Sequence, residues 1–357
     1  MFSYGKQIKI QVFGQSHSEA IGVVIDSFPA GVKVDEERLT AFMARRAPGR
    51  NTFSTTRAEA DQVRFVSGIH EGVTTGAPIC AMIYNTNKRS GDYDQLRDIP
   101  RPSHADYAAY CKYGAYRDHR GGGEFSGRLT APLCIAGFLC MEVLREKGIH
   151  IGAHIASVGE VSDDRFDAVH LSKQELNSII TKDFPVVNDQ KGLAMQEIIL
   201  DAKSRADSVG GVVECGVIGL PAGVGDSSFG GIEGRIALAI FGIPAVKGIE
   251  FGSGFEGSKM RGSQNNDSIQ TDGEHVYTTT NHAGGILGGI SNGMPIIFRA
   301  AFKPTPSIGL TQESISLSAN KNTSLQIVGR HDPCIVHRAV PVTEAVTAIA
   351  ILDMLLD

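Results

Sequence analysis

The sequence lacks an excess of charge of either sign. Its 357 residues include 34 Lys and Arg against 39 Asp and Glu, which gives a formal net charge of −5. No global positive field is therefore present to attract nucleic acid or an anionic membrane. Positive charge is confined to local clusters, which suit a small anionic ligand better than a polyanion. We expect neither nucleic acid nor a membrane as a partner.

Cysteine is scarce, and tryptophan is absent. The six cysteines show neither the two-residue gap of a zinc or redox motif nor the density of a disulfide scaffold. We expect buried, reduced thiols and no metal site. The first residues lack the apolar core of a signal peptide. The longest mainly apolar run, Ala131 to Leu144, is too short to span a bilayer. These absences predict a cytoplasmic protein.

Glycine, in contrast, is abundant, with 42 residues and no collagen-like period. Such a composition indicates many tight turns and close backbone contacts. The most informative segment runs from Arg101 to Arg128, where cations and imidazoles surround three consecutive glycines, Gly121 to Gly123. Free backbone N–H groups beside cations suit a phosphate-bearing ligand. The alternative interpretation of residues 101–128 is a charged loop exposed to solvent. Segments of similar composition elsewhere in the chain favour a binding surface.

Two further clusters lie in the first fifty residues. His17 follows Ser16 at the end of a predicted strand, and it is either a general acid at neutral pH or a structural histidine. Arg45 and Arg46 end a predicted helix. They either complement the helix dipole or present rigid guanidinium forks to a phosphate or carboxylate.

Two more clusters lie in the C-terminal part of the chain. The glycine-rich run 281–289 and the segment 303–307 would bring backbone and hydroxyl groups close to a phosphorylated ligand, but their spacing is not that of a Rossmann fingerprint. Arg330 and Asp332 precede the C-terminal helix. They form either an anion fork with a carboxylate base or a salt-bridged turn.

Two patterns occur twice in the same order. Gly22-Val23-Val24 leads to Pro29-Ala30-Gly31-Val32, and Gly211-Val212-Val213 leads to Pro221-Ala222-Gly223-Val224. The runs 72–79 and 289–296 then share their glycines, proline and isoleucine. Ordered repetition of this kind favours an internal duplication.

Hydrophobic periodicity predicts a mixture of helices and strands. We predict strands at 8–12, 63–66, 79–84, 212–218 and 296–302. We predict helices at 130–147, 191–208 and 341–356, and one more after each repeated Pro/Gly turn. The strand spacing is typical of antiparallel sheets. No linker divides the chain, so we expect one α+β domain, residues 1–357, made of two similar halves.

Taken together, these motifs resemble the chorismate synthase family over essentially the whole length. The resemblance implies a single-domain β-α-β sandwich, with helices between two antiparallel sheets, internally pseudo-duplicated and assembled as a homotetramer. It rests on the following segments, which occur in the family's order: 14–17, 45–46, 101–106, 112–114, 121–123, Ser126 with Arg128, 281–285, 303–305 and 330–334.

The resemblance also implies a reaction. 5-Enolpyruvylshikimate-3-phosphate would lose phosphate and a ring proton in a 1,4-elimination that gives chorismate, the last step of the shikimate pathway. Reduced FMN would be required although no net oxidation occurs, because the flavin lends electron density transiently as phosphate leaves. NADPH would be the reductant if the protein reduces its own flavin.

Residue roles carry over from the matched motifs. His17 would protonate the departing phosphate, His104 would stabilise the reduced flavin, and Asp332 would act as, or relay to, the base that removes the ring proton, through flavin N5. The substrate-binding residues implied are Ser16, Arg45, Arg46, Arg101, Ser126, Arg128 and Arg330. The cofactor-binding residues implied are Arg46 (toward NADPH), Glu124, Phe125, Ser126, Ala245, Gly288, Lys303, Pro304, Thr305, Pro306, Ser307 and Arg330.

The chain departs from the family's usual residues within this pattern. Glu124 lies in the flavin-contacting segment, where an unpaired carboxylate would repel reduced FMN, so we expect it to pair with a nearby arginine, at 117, 120 or 128. Two other functions compete with the elimination: phosphate-ester hydrolysis without flavin, and a scaffold that binds anionic metabolites without turnover. The remaining departures are Gln15, Ser18 and Thr52.

Overall fold

The computed structural model describes residues 3–49, 61–86, 90–327 and 332–357. The strands in these ranges are β1 Ser3–Tyr4, β2 Lys9–Gly14, β3 Ala20–Asp26, β4 Arg64–Ser67, β5 Ile69–His70, β6 Val73–Thr74, β7 Ile79–Tyr84, β8 His150–Val158, β9 Val161–Ser162, β10 Gly211–Ile218, β11 Val246–Phe251, β12 Ile269–Thr271, β13 Val276–Thr278, β14 Ile286–Leu287, β15 Ile290–Ser291, β16 Ile296–Phe302, β17 Gln312–Ser316 and β18 Lys321–Leu325. The α-helices are α1 Glu36–Arg46, α2 Asp106–Tyr113, α3 Thr130–Glu146, α4 Lys173–Ile180, α5 Asp189–Ser204, α6 Ile232–Phe241, α7 Gly262–Asn265 and α8 Val336–Leu355.

The larger strands form two antiparallel sheets of five strands each. Sheet 1 has the order β1-β2-β3-β7-β4, and sheet 2, read from its opposite edge, has the order β9-β8-β10-β16-β11. In each sheet the central strand (β3 or β10) leads through a Pro/Gly turn to a helix (α1 or α6). Four strands of each sheet, β2-β3-β7-β4 and β8-β10-β16-β11, therefore repeat one topology, whereas the edge strands β1 and β9 differ in chain order. The predicted α+β sandwich with antiparallel sheets is confirmed.

One hydrogen-bonding pattern also occurs in both halves. The Thr74 hydroxyl donates to the first carbonyl of the turn 29–32 at 2.7 Å and accepts from the amide of its last residue at 2.9 Å. The Ser291 hydroxyl makes the same two bonds to the turn 221–224, at 2.6 and 2.9 Å. In each half, the two repeated sequence segments therefore lie side by side. A hydroxyl from the second segment (72–79 or 289–296) holds the turn of the first.

The helices α3 and α8 form the middle layer of the sandwich. α3 packs on strands of sheet 1 and α8 on strands of sheet 2, while the two helices pack against each other. Where they cross, a Cβ built on Gly137 would lie well under 3.0 Å from Ala345. Glycine is therefore required at this crossing, because any side chain would push the central helices apart.

Two predicted helix boundaries were wrong. The last helix begins at Val336 rather than Pro341, because the apolar residues before the proline also face the core. Pro341 lies inside the helix, where it cannot donate to the carbonyl of His337. The helix α5 ends at Ser204 rather than 208, since Ala206 adopts a left-handed conformation with φ 57°.

Two further expectations also need correction, one on the burial of the cysteines and one on the length of the longest apolar segment. Cys111 is exposed and Cys80 is partly exposed, so the cysteines are not uniformly buried. The apolar helical segment Gly127–Glu146 is longer than the run noted in the sequence, and its length and composition would suffice to cross a membrane. However, 83% of its apolar window is buried inside the protein. This segment is the core helix α3 with the turn before it.

Candidate active site

A glycine loop lies between two histidines. Gly121–Gly123 adopt left-handed φ values of 61°, 95° and 55°. A Cβ on the first glycine would lie well under 3.0 Å from the His17 ring and the Ser16 hydroxyl, and one on the second would lie 3.1 Å from the His104 ring. Only glycine fits this path. The segment 101–128 and the His17 cluster, separate in the sequence, therefore form one site.

Hydrogen bonds hold the His17 turn against this loop. The Ser16 amide donates to the carbonyl of Gly123 at 3.1 Å. The Ser16 hydroxyl lies 2.8 Å from His17 Nδ1 and 3.4 Å from the carbonyl of Arg120. Both Ser16 and His17 are buried. Because a hydroxyl both donates and accepts, Ser16 can satisfy Nδ1 whether or not the imidazole is protonated.

Asp106 fixes the second histidine. Its carboxylate lies 2.6 Å from His104 Nδ1 and accepts from Arg101 Nε at 2.7 Å and Nη2 at 2.9 Å. Burial lowers the pKa of His104, and Arg101 and Lys303 lower it further, against the opposing effect of Asp106. The imidazole is therefore held mainly neutral, with Nδ1–H donated to the carboxylate and Nε2 available as an acceptor. A bound anion would raise this pKa.

The segment 303–307 joins the same site from the other half of the chain. Arg101 Nη1 donates to the Ser307 hydroxyl at 3.1 Å, and Lys303 Nζ donates to the carbonyl of Ser103 at 2.8 Å. The Lys303 amide donates to the carbonyl of Ala245 at 3.0 Å. Burial and neighbouring Lys247 lower the pKa of Lys303. Within the described ranges Lys303 has no carboxylate partner, which is typical of a site that awaits an anion.

A buried carboxylate links two of the predicted arginines. Asp61 accepts from Arg46 Nη2 at 2.5 Å and from Arg128 Nη1, and Arg128 Nε also donates to Asn85 Oδ1 at 3.2 Å. Asn85 in turn donates to the carbonyl of Gln15 at 3.2 Å, beside the His17 turn. Burial raises the pKa of Asp61, but the two arginines lower it more. The three charges leave one net positive charge next to the site.

Two predicted site residues have carboxylate or cationic partners of their own. Arg45 forms a bidentate pair with Glu344 of α8, at 2.6 and 2.8 Å, and Glu344 is fully buried. Asp332 accepts from Arg338, whose Nε donates to the carbonyl of Arg46 at 2.8 Å. The substrate role of Arg45 and the base role of Asp332 remain predictions, each with a competing partner. Arg330, His331 and Thr52 lie outside the described residues.

The expected pairing of Glu124 was wrong. Arg117 donates to the carbonyls of Leu96 and Arg97 at 3.1 and 2.9 Å, and Arg120 pairs with Asp118 at 2.8 Å. Arg128 is bound by Asp61. Each arginine has an acceptor of its own, so the half-buried Glu124 forms an ion pair with none of the three.

The remaining residues predicted to contact the flavin differ in how closely they are connected to this site. The Ser126 hydroxyl caps the turn that leads into α3, accepting from the amide of Arg128 at 3.3 Å, and Phe125 is exposed. Thr305 Oγ1 donates to the carbonyl of Asp332 at 2.8 Å, which places Pro304–Pro306 beside the site. Gly288 lies in the β14–β15 turn with open space around it, and no described hydrogen bond joins it to this group.

Several residues of the site were missed from the sequence alone. Asp61 and Asn85 are distant in sequence from Arg128, which both of them bind, and no local spacing marks them. Arg338 is only six residues from Asp332, but its second partner, the carbonyl of Arg46, is 292 residues away. Glu344 did carry a signal, since it is an acid within the otherwise uncharged stretch 339–352. An acid in such a place implies a buried cationic partner.

Comparison with known proteins supports one family. A sequence model described as chorismate synthase matches residues 8–356. The chorismate synthase of Dehalococcoides mccartyi is 43% identical over 354 residues, spanning 99% of this chain and 96% of the relative. That of Methanocaldococcus jannaschii is 42% identical over 368 residues, spanning 100% of this chain and 96% of the relative.

The fold agrees with these matches. A crystal structure of chorismate synthase superposes with a TM-score of 0.75 at 26% sequence identity, and the match covers 99% of this chain and 93% of the other. Sequence similarity over the whole length and a shared fold lead to the same conclusion: the chain belongs to the chorismate synthase family.

Proposed function

We propose that the group of residues around Gly121–Gly123 binds 5-enolpyruvylshikimate-3-phosphate and reduced FMN and catalyses the 1,4-elimination of phosphate that gives chorismate. The family acts as a lyase in the last step of the shikimate pathway, and aromatic amino acids are made from its product. The observation that carries the proposal is the glycine loop itself, which runs between His17 and His104 with no room for a side chain.

The cations around the loop support binding of this substrate. The substrate carries two carboxylates and one phosphate, and a guanidinium fork matches each of these groups. Arg101 and Arg128 are buried beside the loop, and Arg46 adds charge through the cluster at Asp61. Ser16 and Ser126 supply hydroxyl groups. Arg45 and Arg330 complete the proposed set.

We assign the proton transfers to buried groups. His17, oriented by Ser16 at 2.8 Å, gives a proton from Nε2 to the departing phosphate. Asp332 receives or relays the ring proton, which requires its pair with Arg338 to loosen when substrate binds. His104, hydrogen-bonded to Asp106, would compensate negative charge on a bound reduced flavin, because an anion nearby would raise the pKa of the imidazole and favour its protonated form.

The donor set fits reduced FMN. Lys303 offers a cation without a carboxylate partner in the described chain, and Ser307 offers a hydroxyl. When bound, the flavin would supply transient electron density to the elimination. The residues proposed to hold it are Phe125, Ser126, Ala245, Gly288, Lys303, Pro304, Thr305, Pro306, Ser307 and Arg330. Glu124 belongs to the same segment, but its carboxylate pairs with none of the nearby arginines and would weaken binding of reduced FMN wherever it faces the flavin.

NADPH is the proposed reductant if the protein reduces its own flavin. The proposed contact is Arg46, which is 1% exposed and bonded to Asp61 at 2.5 Å. Binding of NADPH there would first require this pair to open. An external flavin reductase would leave the pair intact.

The flavin state tests the proposed function. Under anaerobic conditions with reduced FMN, we expect the protein to release phosphate from 5-enolpyruvylshikimate-3-phosphate and to form chorismate. With oxidised FMN, we expect no turnover. Phosphate release measured together with chorismate absorbance distinguishes this reaction from hydrolysis. Phosphate release without chorismate, at a rate independent of flavin, would favour the phosphatase hypothesis, and tight binding without turnover would favour a scaffold.

We also propose that the protein is a cytoplasmic homotetramer. The second half carries large apolar side chains on its surface, including a fully exposed Phe229 and the outer side of α6, at Leu238 and Phe241. Apolar side chains clustered on a surface mark interfaces between subunits. Light scattering at micromolar concentration should give about four times the mass of the 38.0 kDa chain. An active monomer would rule this assembly out.

A further inference from the structure

Arg338 lies in the first turn of α8, and its side chain is only 19% exposed. The N-terminus of a helix carries a partial positive charge, so a cation in this turn is unfavourable. Removing a guanidinium from water adds a further cost. No acidic residue in that turn, residues 336–339 of the described chain, offsets these costs. Partners outside the helix must therefore hold Arg338 where it lies.

Two groups from different parts of the chain bond to Arg338. Its Nε donates to the carbonyl of Arg46, the last residue of α1, at 2.8 Å, and its Nη1 donates to Asp332 Oδ2. The Arg46 side chain is itself paired with Asp61. Carbonyls in the last turn of a helix have no partner within that helix, and an arginine side chain can satisfy them. One guanidinium therefore joins the end of α1 to the carboxylate of Asp332.

The backbone of Asp332 is fixed separately, by the second half of the chain. Thr305 Oγ1 donates to the carbonyl of Asp332 at 2.8 Å, and the Val209 amide donates to the carbonyl of Pro333 at 2.8 Å. Thr305 follows β16 and Val209 precedes β10, so both bonds tie this segment to sheet 2. With the main chain held in this way, the bond to Arg338 constrains the direction of the carboxylate.

The other titratable groups beside Asp332 differ from Arg338 in their charge. Burial lowers the pKa of His337 to about 4 and raises the pKa of Cys334 to about 12, so both side chains are neutral near pH 7. Within the described residues, Arg338 brings a full positive charge into contact with Asp332. A guanidinium in this position favours the ionised form of a carboxylate, which is the form that can accept a proton.

We propose that Arg338 is a positioning residue for the elimination: its ion pair keeps the Asp332 carboxylate ionised and in one orientation until substrate binds. The inference rests on the proposed function, in which Asp332 receives or relays the ring proton. A base that is ionised and oriented in advance spares the reaction the cost of arranging it. Arg338 acts through Asp332, and this separates its role from that of the arginines proposed to bind substrate.

The pH dependence of kcat/KM tests this role, because it reports the ionisation of essential groups in the free protein. Arg338→Gln keeps a hydrogen-bond donor but removes the charge. We expect the acidic limb of kcat/KM for chorismate formation with reduced FMN to move up by about one pH unit or more. Arg338→Lys should restore the position of the limb, but kcat/KM should stay below that of wild type, since one ammonium group cannot replace the guanidinium fork between Asp332 and Arg46. An unmoved limb in Arg338→Gln would overturn the proposal.

A matched control lies at the other end of the same helix. Arg235 pairs with the buried carboxylate of Asp353 near the C-terminus of α8, and its side chain is also largely buried. Arg235→Gln therefore removes a comparable ion pair away from Asp332. It should leave the acidic limb where wild type has it. A limb that moves equally in Arg235→Gln and Arg338→Gln reports general destabilisation and also overturns the proposal.

A double-mutant cycle shows whether Arg338 acts through Asp332. Adding Arg338→Gln to Asp332→Asn should lower kcat/KM by less than about twofold further, because the group that Arg338 positions is already lost. Midpoints of denaturant unfolding, which need neither substrate nor flavin, should show the same coupling. Independent losses in an active protein would overturn this inference alone. A wild-type protein that forms no chorismate would overturn the proposed function, and this inference with it.

Discussion

Replacing Gly121 by alanine is expected to lower the rate of chorismate formation by about 10²–10⁴-fold, the loss typical of removing a general acid. The added methyl group would overlap the His17 ring and the Ser16 hydroxyl. His17 must then leave its position, because the loop backbone is held by the bond from the Ser16 amide to Gly123. The anaerobic assay with reduced FMN measures the loss, and His17→Ala should show a loss of the same order.

Two other glycines in the same segment provide matched controls. Gly114 has the same φ of 61° as Gly121 but open space around it, and its ψ of −140°, against 8° at Gly121, is less favourable for alanine. Gly114→Ala therefore imposes at least as much backbone strain without the overlap. Gly127→Ala imposes neither. Both variants should retain most of the activity. If Gly114→Ala loses as much activity as Gly121→Ala, strain in the loop rather than displacement of His17 explains the effect.

The second large effect is expected in stability. Asp61→Asn should lower the free energy of unfolding by about 3–5 kcal/mol, because it leaves the buried guanidinium groups of Arg46 and Arg128 without their shared carboxylate. Asparagine keeps the shape of the side chain and tolerates the left-handed φ of 45° at this position. The substitution therefore removes the charge and one of the two acceptor oxygens while keeping the side-chain volume. Denaturant unfolding measures the difference.

The pH dependence of this contribution follows from the lowered pKa of Asp61. Since the folded-state pKa lies below the ordinary value of 3.8, the stabilisation is complete above that pH and is lost only as the pH falls through the lowered pKa. Wild type and Asp61→Asn should therefore differ most near neutral pH and converge in acid. Asp164→Asn, in an exposed pair with Lys191, is the control and should have little effect. A similar loss in both variants would contradict the buried-charge explanation.

The fold could be predicted largely because its signals are local. Strands such as 79–84 and 296–302 and the helix at 130–146 follow from periodicity and turn residues, which act over a few positions. The repeated Pro/Gly turns indicated two similar sheets before any contact was known. The wrong boundary at Pro341 arose because a local rule about proline competed with burial of the residues before it.

The sequence predicted which residues belong to the site, but not which charged side chains pair with each other. His104, Arg101 and the glycine loop share one segment and lie together in the structure, whereas only the family resemblance joined His17 to them. The partners of charged groups were not visible. The pair between Arg45 and Glu344 joins residues 299 apart in sequence, and such pairing depends on which side chains are buried together. Charge pairing is a property of the packed structure.

The contacts of Arg101 with Ser307 and of Lys303 with Ser103 cross the seam between the halves. Residues that contact only their own half can be replaced independently of the other half. Residues that bond across the boundary between the halves cannot. Shortening the side chain of Arg101 would remove the hydrogen bond to the Ser307 hydroxyl. Shortening that of Lys303 would remove the hydrogen bond to the carbonyl of Ser103. Changes at these four positions are therefore coupled between the halves, as are changes where the central helices α3 and α8 cross at Gly137.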